Sequence, residues 1–313
     1  MKTADAHELA YRDSCPSCGS MSAESILRHP YDQPPIRDFL VAHYGGRAEL
    51  MRLAGATFEV DRCKDCGLIF QRAVPSGALL NDIYDRWIPA SEQERLHGTR
   101  GLGDYRYLAS QVEYFIQHFG VKPSALSVLD FGLGWAEWAT MARSYGCHVA
   151  GCELSQERIS YARSIGIKVI DWDDIPNHRF NYINTEQVFE HLVEPRQTLE
   201  HLASALHDGG LIKVSVPNGL GMAKRLKRLP GMATVHRDYL MPVQPLEHIN
   251  CFDYASLVAL GRQVGLVPVR PRLRQLYNGA SGWFEPRQAL KNLVRPLYRH
   301  VYPKSTFVHF ARA

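Results

Sequence analysis

The sequence predicts an α/β protein, with a doubly wound, mostly parallel sheet preceded by a small zinc-ribbon-like module. Three observations carry this reading. Two identical cysteine knuckles stand near the N-terminus, short apolar runs alternate with amphipathic stretches from about Tyr105, and residues 126–137 read as buried strand, glycine turn and helix start.

At 313 residues and 45% hydrophobic content, the chain can bury a full core and has room for a large domain beside an accessory one. Charged residues make up 22%, and no stretch is low in complexity, which excludes a chiefly disordered protein. No apolar run approaches the roughly 20 residues that span a bilayer. The first residues also lack the apolar core of a signal segment, so the expected location is the cytoplasm. A net charge of +4 is too mild to imply a nucleic-acid partner by itself.

The leading cysteines form Cys15-Pro-Ser-Cys18-Gly and Cys63-Lys-Asp-Cys66-Gly, while Cys147, Cys152 and Cys251 are scattered. A two-residue gap lets a tight turn aim both sulfurs at one point, and the glycine relieves crowding where N–H groups turn toward the thiolates. Two knuckles make a closed tetrahedral site for a structural zinc, with no position left for a catalytic water. A redox pair and two disulfides are the competing readings; a reducing cytoplasm and the duplicated motif argue against both. A helix-like insert over about residues 34–54 separates the knuckles, so the site must close a long loop.

The stretch Leu126-Ser-Val-Leu-Asp130-Phe-Gly132-Leu-Gly134-Trp135-Ala136 reads as a strand and glycine turn, with a helix opening at about Glu137. Such glycines let backbone approach a ligand, and the helix N-terminus offers N–H groups to it. The next strand ends in Glu153, placed to accept both hydroxyls of a ribose. On these residues alone, a nicotinamide dinucleotide fits equally well.

From about residue 105 onward the chain resembles the class I S-adenosylmethionine-dependent methyltransferases. The D-x-G-x-G turn of that family is matched by Asp130, Gly132 and Gly134, with Ala136 where a third glycine is common. The ribose acid falls on Glu153 and the adenine-side acid on Asp171, with Trp172 to flank the ring. The fourth strand and its loop, containing Gln187, Glu190, His191 and Pro195, are similar to the family's stretch, although Asn181 replaces its opening Asp. The resemblance implies a seven-stranded Rossmann-like sheet and S-adenosylmethionine held by Asp130, Gly132, Gly134, Glu153, Asp171, Trp172 and Gln187. The knuckles and the Cys66-Gly-Leu-Ile-Phe continuation resemble a subgroup with a zinc-binding leader that includes sugar C-methyltransferases. In that subgroup a tyrosine-rich stretch helps line the acceptor site, which implies Tyr84 there, with Trp87 where an aromatic hydroxyl is expected. The domains expected are 1–90, the zinc module, and 91–313, the methyltransferase, with a lid at about 219–247 and an inserted helix at about 285–302.

Methyl transfer is an in-line displacement that needs alignment and, for oxygen or carbon acceptors, a base. His191 is the first candidate, with Glu190 to orient it, because loops at strand C-termini form the ligand crevice of such sheets. His248, in Glu247-His248-Ile-Asn250, is the second. Packing or loop-fixing histidines are the plain alternatives. The long connection from Asn218 to Glu247 holds Lys224, Arg225, Lys227, Arg228, His236 and Arg237. Arg225, Arg228 and His236, with Tyr84 and Asn250, are the expected acceptor contacts, the arginines reaching phosphate; a solvated surface helix is the alternative. The basic amphipathic helix over 285–302 is expected to pack on the domain, a membrane-surface role being the alternative. It leads into a last strand, from Ser305, expected to run antiparallel.

The acceptor expected is a small sugar-like molecule, phosphorylated or not. Methylation of an rRNA or tRNA base is the rival, disfavoured by the modest charge. A non-catalytic cofactor-binding partner is disfavoured by the intact cofactor positions and by His191.

Overall fold

The computed structural model describes residues 8–88, 99–278, 286–301 and 307–313. The expected boundary near residue 90, the helix ends at Glu285 and Tyr302, and the strand start at Ser305 lie outside the described residues. In chain order the strands are β1 (Leu9–Tyr11), β2 (Ala23–Pro30), β3 (Thr57–Cys63), β4 (Ile69–Gln71), β5 (Ala73–Pro75), β6 (Ser127–Phe131), β7 (His148–Cys152), β8 (Lys168–Val169), β9 (Phe180–Glu186), β10 (Leu206–Ser215), β11 (Asn250–Cys251), β12 (Leu266–Val269) and β13 (Phe307–Arg312). Among the helices, α1 is Ile36–His43, α2 Gly77–Asp82, α3 Leu102–Phe119, α4 Glu137–Ser144, α5 Gln156–Ser164, α6 Pro195–Ser204, α7 Met222–Leu226, α8 Arg237–Leu240, α9 Tyr254–Gln263, α10 Leu273–Asn278 and α11 Pro286–Val301.

The chain folds into two units. One comprises Met1–Gly98, Phe189–Arg196 and Val216–Gln263, the other Thr99–Val188, Gln197–Ser215 and Val264–Ala313.

The second unit is built on a seven-stranded sheet in the order β12-β13-β10-β9-β6-β7-β8. The strands β10, β9, β6, β7 and β8 run parallel, while β13 pairs antiparallel with both β10 and β12. The sheet starts at β6, grows one way through β7 and β8, then returns to β9 and β10, so its direction switches between β6 and β9. Val128, Leu129, Asp130 and Phe131 of β6 are all buried, as befits a central strand covered on both faces. Helix α3 buries Leu108, Val112 and Phe115, spaced along one helical face, against Val128, Trp138, Tyr182 and Leu211. Truncating Phe115 there would cost about 3–5 kcal/mol. Gly120, in the left-handed region at φ 65°, ends that helix.

The first unit holds a four-stranded antiparallel sheet, β11-β4-β3-β2, and the two-stranded pair β1-β5. The β2–β3 ladder runs from Ala23↔Cys63 at the knuckle end to Pro30↔Thr57 at the other. Helix α1 and its insert join the far end. This is how a 45-residue separation between Cys18 and Cys63 closes: the insert bulges away while the ladder brings the knuckles together.

The unit bearing the cysteines takes in more of the chain than its leading segment. β11 adds to β4, and residues 189–196 also belong to it. The 219–247 connection contributes to the core of the same unit. Met222, Leu226, Leu229, Leu240, Val243 and Leu246 are buried in one cluster with Leu40, Phe58 and Trp87. Met222, Leu226 and Leu229 repeat at helical spacing, an apolar stripe between the basic residues. Finally, α11 turns the wrong side outward for a packed helix. Leu290, Leu293, Val294, Leu297 and Tyr298 are exposed, whereas Asn292 and Pro296 are buried. No helix among the described residues is long and apolar enough to cross a membrane.

Candidate functional site

The four knuckle sulfurs all lie within 4.8 Å of one another. Cys15 and Cys66 Sγ are 3.5 Å apart and Cys18 and Cys63 Sγ 3.6 Å. Both spacings are far beyond the roughly 2.05 Å of a disulfide. They are close to the roughly 3.8 Å edge of a tetrahedron with 2.3 Å Zn–S bonds. Gly19 and Gly67 sit at φ 76° and 79°, and their N–H groups bond the carbonyls of Cys15 and Cys63, closing each knuckle. The donor set fits a structural zinc ion.

In the second unit the turn after β6 is fixed by its own backbone. The N–H groups of Gly132 and Leu133 both bond the Cys152 carbonyl at the end of β7. Gly132 has φ 74°, and a Cβ there would come within 2.4 Å of Val188 Cγ2, so no side chain fits. Gly134 has φ 54° and faces open space, a cradle that a Cβ would fill. Its N–H donates to Glu153 Oε2 at 2.8 Å, while Oε1 accepts the N–H groups of Leu154 and Ser155 at 2.8 and 3.0 Å. A carboxylate at a strand end is thereby locked to a glycine turn 19 residues away. An anionic acceptor beside bare backbone suits a ribose, and these residues fit the nucleoside of the implied cofactor. Ala136 adopts φ 56° as it starts α4, a left-handed conformation that a side chain disfavours.

Asp130 lies beneath this turn rather than on its surface. It is buried, and its Oδ1 accepts the Asn184 amide at 2.8 Å. Burial pushes its carboxyl up to about 7, against the opposing pull of the Asn184 bond and the nearby Lys213 ammonium. Lys213, itself buried in β10, is paired with Glu186 and donates to Asn184 Oδ1 at 3.3 Å. Asn181, where the family has Asp, accepts the Ser127 N–H at 2.9 Å and so has a structural role. Asp171 is exposed. Trp172 stacks on His201 with centroids 3.9 Å apart, covering one face of the indole. Gln187 is exposed at φ 55°, with its N–H on the Ser215 carbonyl.

In the first unit His191, His248 and Glu190 converge. His191 Nδ1 is 3.1 Å from the Glu247 carbonyl and 3.2 Å from the Tyr84 hydroxyl. Donating to that carbonyl puts its proton on Nδ1 and leaves Nε2 basic, 4.0 Å from Glu190 Oε1. Burial and the neighbouring His248 pull His191 down to about 4. The His248 ring meets His191 edge-on, centroids 4.7 Å apart, and its Nδ1 is bonded to the Met241 carbonyl. Burial lowers His248 too, and Arg237 is near enough to oppose its protonation.

Sequence reasoning missed the residues behind this pair. Glu247 Oε1 accepts from His43 Nε2 and Gln244 Nε2, each at 2.8 Å. Burial alone would raise that carboxyl, but His43 and Tyr44 outweigh it and hold it below the usual carboxylate range. Glu247 was visible as the neighbour of His248; nothing in the local pattern of α1 marks His43.

Asn250 forms a buried clamp. It is wholly buried, its amide donates to the carbonyls of Phe189 and Leu192, and its Oδ1 accepts Arg12 Nη1 at 2.9 Å. Arg12 also donates to the Leu192 and Val193 carbonyls, so the two side chains pin the loop that carries His191. Trp87 is likewise core, edge-on to Tyr44. Arg225, Arg228 and His236 stand exposed on the connection, His236 capping α8 through the Asp238 N–H.

Comparison with known proteins finds a family described as a methyltransferase domain, matched over residues 103–270. No curated protein matches. One similar solved structure is the plantazolicin methyltransferase BamL in complex with a triazolic desmethylPZN analogue and SAH. It is 14% identical, with 74% of this chain and 92% of that one covered and a TM-score of 0.47. DesVI of Streptomyces venezuelae is 18% identical, covering 42% of this chain, at a TM-score of 0.35. CalS10, an amino pentose methyltransferase from Micromonospora echinaspora, is 19% identical, covering 41% of this chain, at 0.34. The chain spans 58% of DesVI and 56% of CalS10. The family match extends over more than half of the sequence, across the glycine turn, Glu153 and His191: the chain belongs to the methyltransferase-domain family.

Proposed function

We propose that this protein transfers a methyl group from S-adenosylmethionine to a small sugar-like acceptor in the cytoplasm. The observation that carries the donor assignment is the Glu153 carboxylate bonded to the Gly134 N–H beside open space. The backbone of Gly132 and Gly134 would receive the donor, Glu153 its ribose hydroxyls, and Asp171 with Trp172 its adenine. Asp130 and Gln187 shape the turn and loop around it. When bound, the cofactor supplies an electrophilic methyl on a sulfonium. Zinc on Cys15, Cys18, Cys63 and Cys66 would supply folding stability alone, since four thiolates leave no open position.

Acceptor chemistry is assigned to the first unit. His191 takes the acceptor proton on Nε2 while Nδ1–H stays on the Glu247 carbonyl, and Glu190 stabilises the resulting imidazolium. Tyr84 orients the acceptor. His248 is the alternative base, and Arg225 and Arg228 reach the phosphates of a phosphorylated acceptor.

The test is incubation with S-adenosylmethionine and a panel of nucleotide sugars, read by mass spectrometry for the gain of one methyl group. Glu153→Ala should weaken cofactor binding by about 1.5–3 kcal/mol in calorimetry. Tight binding of a nicotinamide dinucleotide, or unchanged cofactor affinity in that variant, overturns the donor assignment.

A further inference from the structure

Among the described residues, helix α11 presents an exposed apolar face. Leu290, Leu293, Val294, Leu297 and Tyr298 are between 47% and 66% exposed. Asn292 and Pro296, the residues least suited to a dry helical contact, are the buried ones. The helix is tied down through its backbone, where the Leu293 carbonyl accepts the Tyr277 hydroxyl at 2.8 Å. An ordinary surface helix packs its apolar stripe inward. This one has the opposite polarity.

Charge is segregated to the same stretch. Arg287, Lys291, Arg295 and Arg299 recur every fourth residue and the helix contains no acid. Eight of the 36 Lys and Arg but one of the 32 Asp and Glu lie between residues 270 and 304, so this stretch carries +7 and the remainder of the chain −3. At four-residue spacing on a helix these basic positions form a row of their own, distinct from the apolar positions at 290, 293, 294 and 297. That is the pattern of a helix lying in the plane of a bilayer, apolar side sunk to the acyl boundary and basic side among headgroups.

We propose that α11 docks this protein on an anionic lipid bilayer. A second copy of the chain fits the face poorly, because a two-fold contact would set the +7 stretch against itself. A single projecting helix is also a ridge, and a fluid bilayer accommodates a ridge without a preformed groove. The proposal stands apart from the donor and acceptor assignments.

Flotation of the full-length protein with vesicles decides it. Binding is expected to vesicles of phosphatidylcholine with phosphatidylglycerol, not to phosphatidylcholine alone, and it should weaken as salt rises. Leu293→Glu with Leu297→Glu should abolish it. Lys291→Glu with Arg295→Glu should reduce it roughly fivefold or more per residue and flatten its salt dependence. An unchanged circular-dichroism spectrum and Tm report intact folding, and because the side chains of Leu293, Leu297 and Lys291 are already exposed, substitution at those three buries no new charge. The proposal is overturned if the wild-type protein ignores anionic vesicles, or if the Leu293/Leu297 variant still floats. It is equally overturned if sedimentation shows that this face closes a dimer which the same variant splits.

Discussion

The two units write their sites along the chain in different ways. In the second, the elements proposed to meet a nucleoside fall between residues 130 and 172: a left-handed glycine turn, an acid at the next strand end and an acid with a tryptophan after the third. In the first, His43, Tyr84, His191, Gln244, Glu247 and His248 come from segments more than 200 residues apart, since His43 and Glu247 alone are separated by 204 positions. A site at parallel strand ends is imposed by backbone and leaves a local signature. A site assembled from side chains on separate loops leaves only residue types.

The largest test of that contrast is removal of a zinc ligand. Cys63→Ser opens a closed site whose metal affinity is folding free energy, about 10–16 kcal/mol in small zinc-binding peptides. Hydrogen exchange should show β2, β3 and β4 losing protection while β6, β9 and β10 keep theirs. Uniform loss across both units would break the comparison. Next is His191→Ala, which should lower kcat by roughly 10²-fold with cofactor affinity unchanged in calorimetry. Full turnover in a chemistry-limited assay would move the base to His248 or Glu247.

A subtler effect follows from acid. His191 sits at about 4 in the fold against an ordinary 6.5, so as pH drops through that window the unfolded chain takes up a proton that the folded chain refuses. Stability should be full above about pH 6.5 and fall toward pH 4, and His191→Gln should shrink the fall measured by urea denaturation. An identical pH slope in the variant would place the acid sensitivity in half-buried His248 and buried His309. The smallest effect sharpens the second unit alone: Ala136→Gly relieves a left-handed side chain and should stabilise by about 1 kcal/mol, read as a higher Tm. A lower Tm would mean that the buried methyl packs better than its backbone strains.

Much of the second unit was legible because each signal is local. Gly132 and Gly134 mark positive φ, Glu153 stands at a strand end, and the alternation of apolar runs states the winding of the sheet. Motif matching locates Asp130 without saying that it lies buried beneath the turn. The knuckles are equally local, and glycine after each pair is the telling detail. Composition says less about packing. The basic residues of the 219–247 connection drew attention from Met222, Leu226 and Leu229, whose burial makes that connection core. Asn250 looked like an acceptor contact for being polar and near His248, yet its partners Phe189, Leu192 and Arg12 are remote in sequence and could not be read from its neighbourhood.

The three-part make-up of the first unit also bears on how such an enzyme can change its acceptor over evolutionary time. An accessory module confined to a leading segment can pass between genes as one cassette. Here, a recombinant that exchanged only the residues up to Gly98 would set Met222, Leu226, Leu229, Leu240, Val243 and Leu246 against a foreign core, and leave β11 without the strand it was shaped to pair with. Arg12 would likewise come from one parent and its partners Asn250 and the His191 loop from the other. On the proposed acceptor assignment, acceptor preference should therefore drift by substitution within a co-inherited set of three stretches, not by shuffling, and chimaeras made at the apparent boundary should be poorly folded before they are inactive.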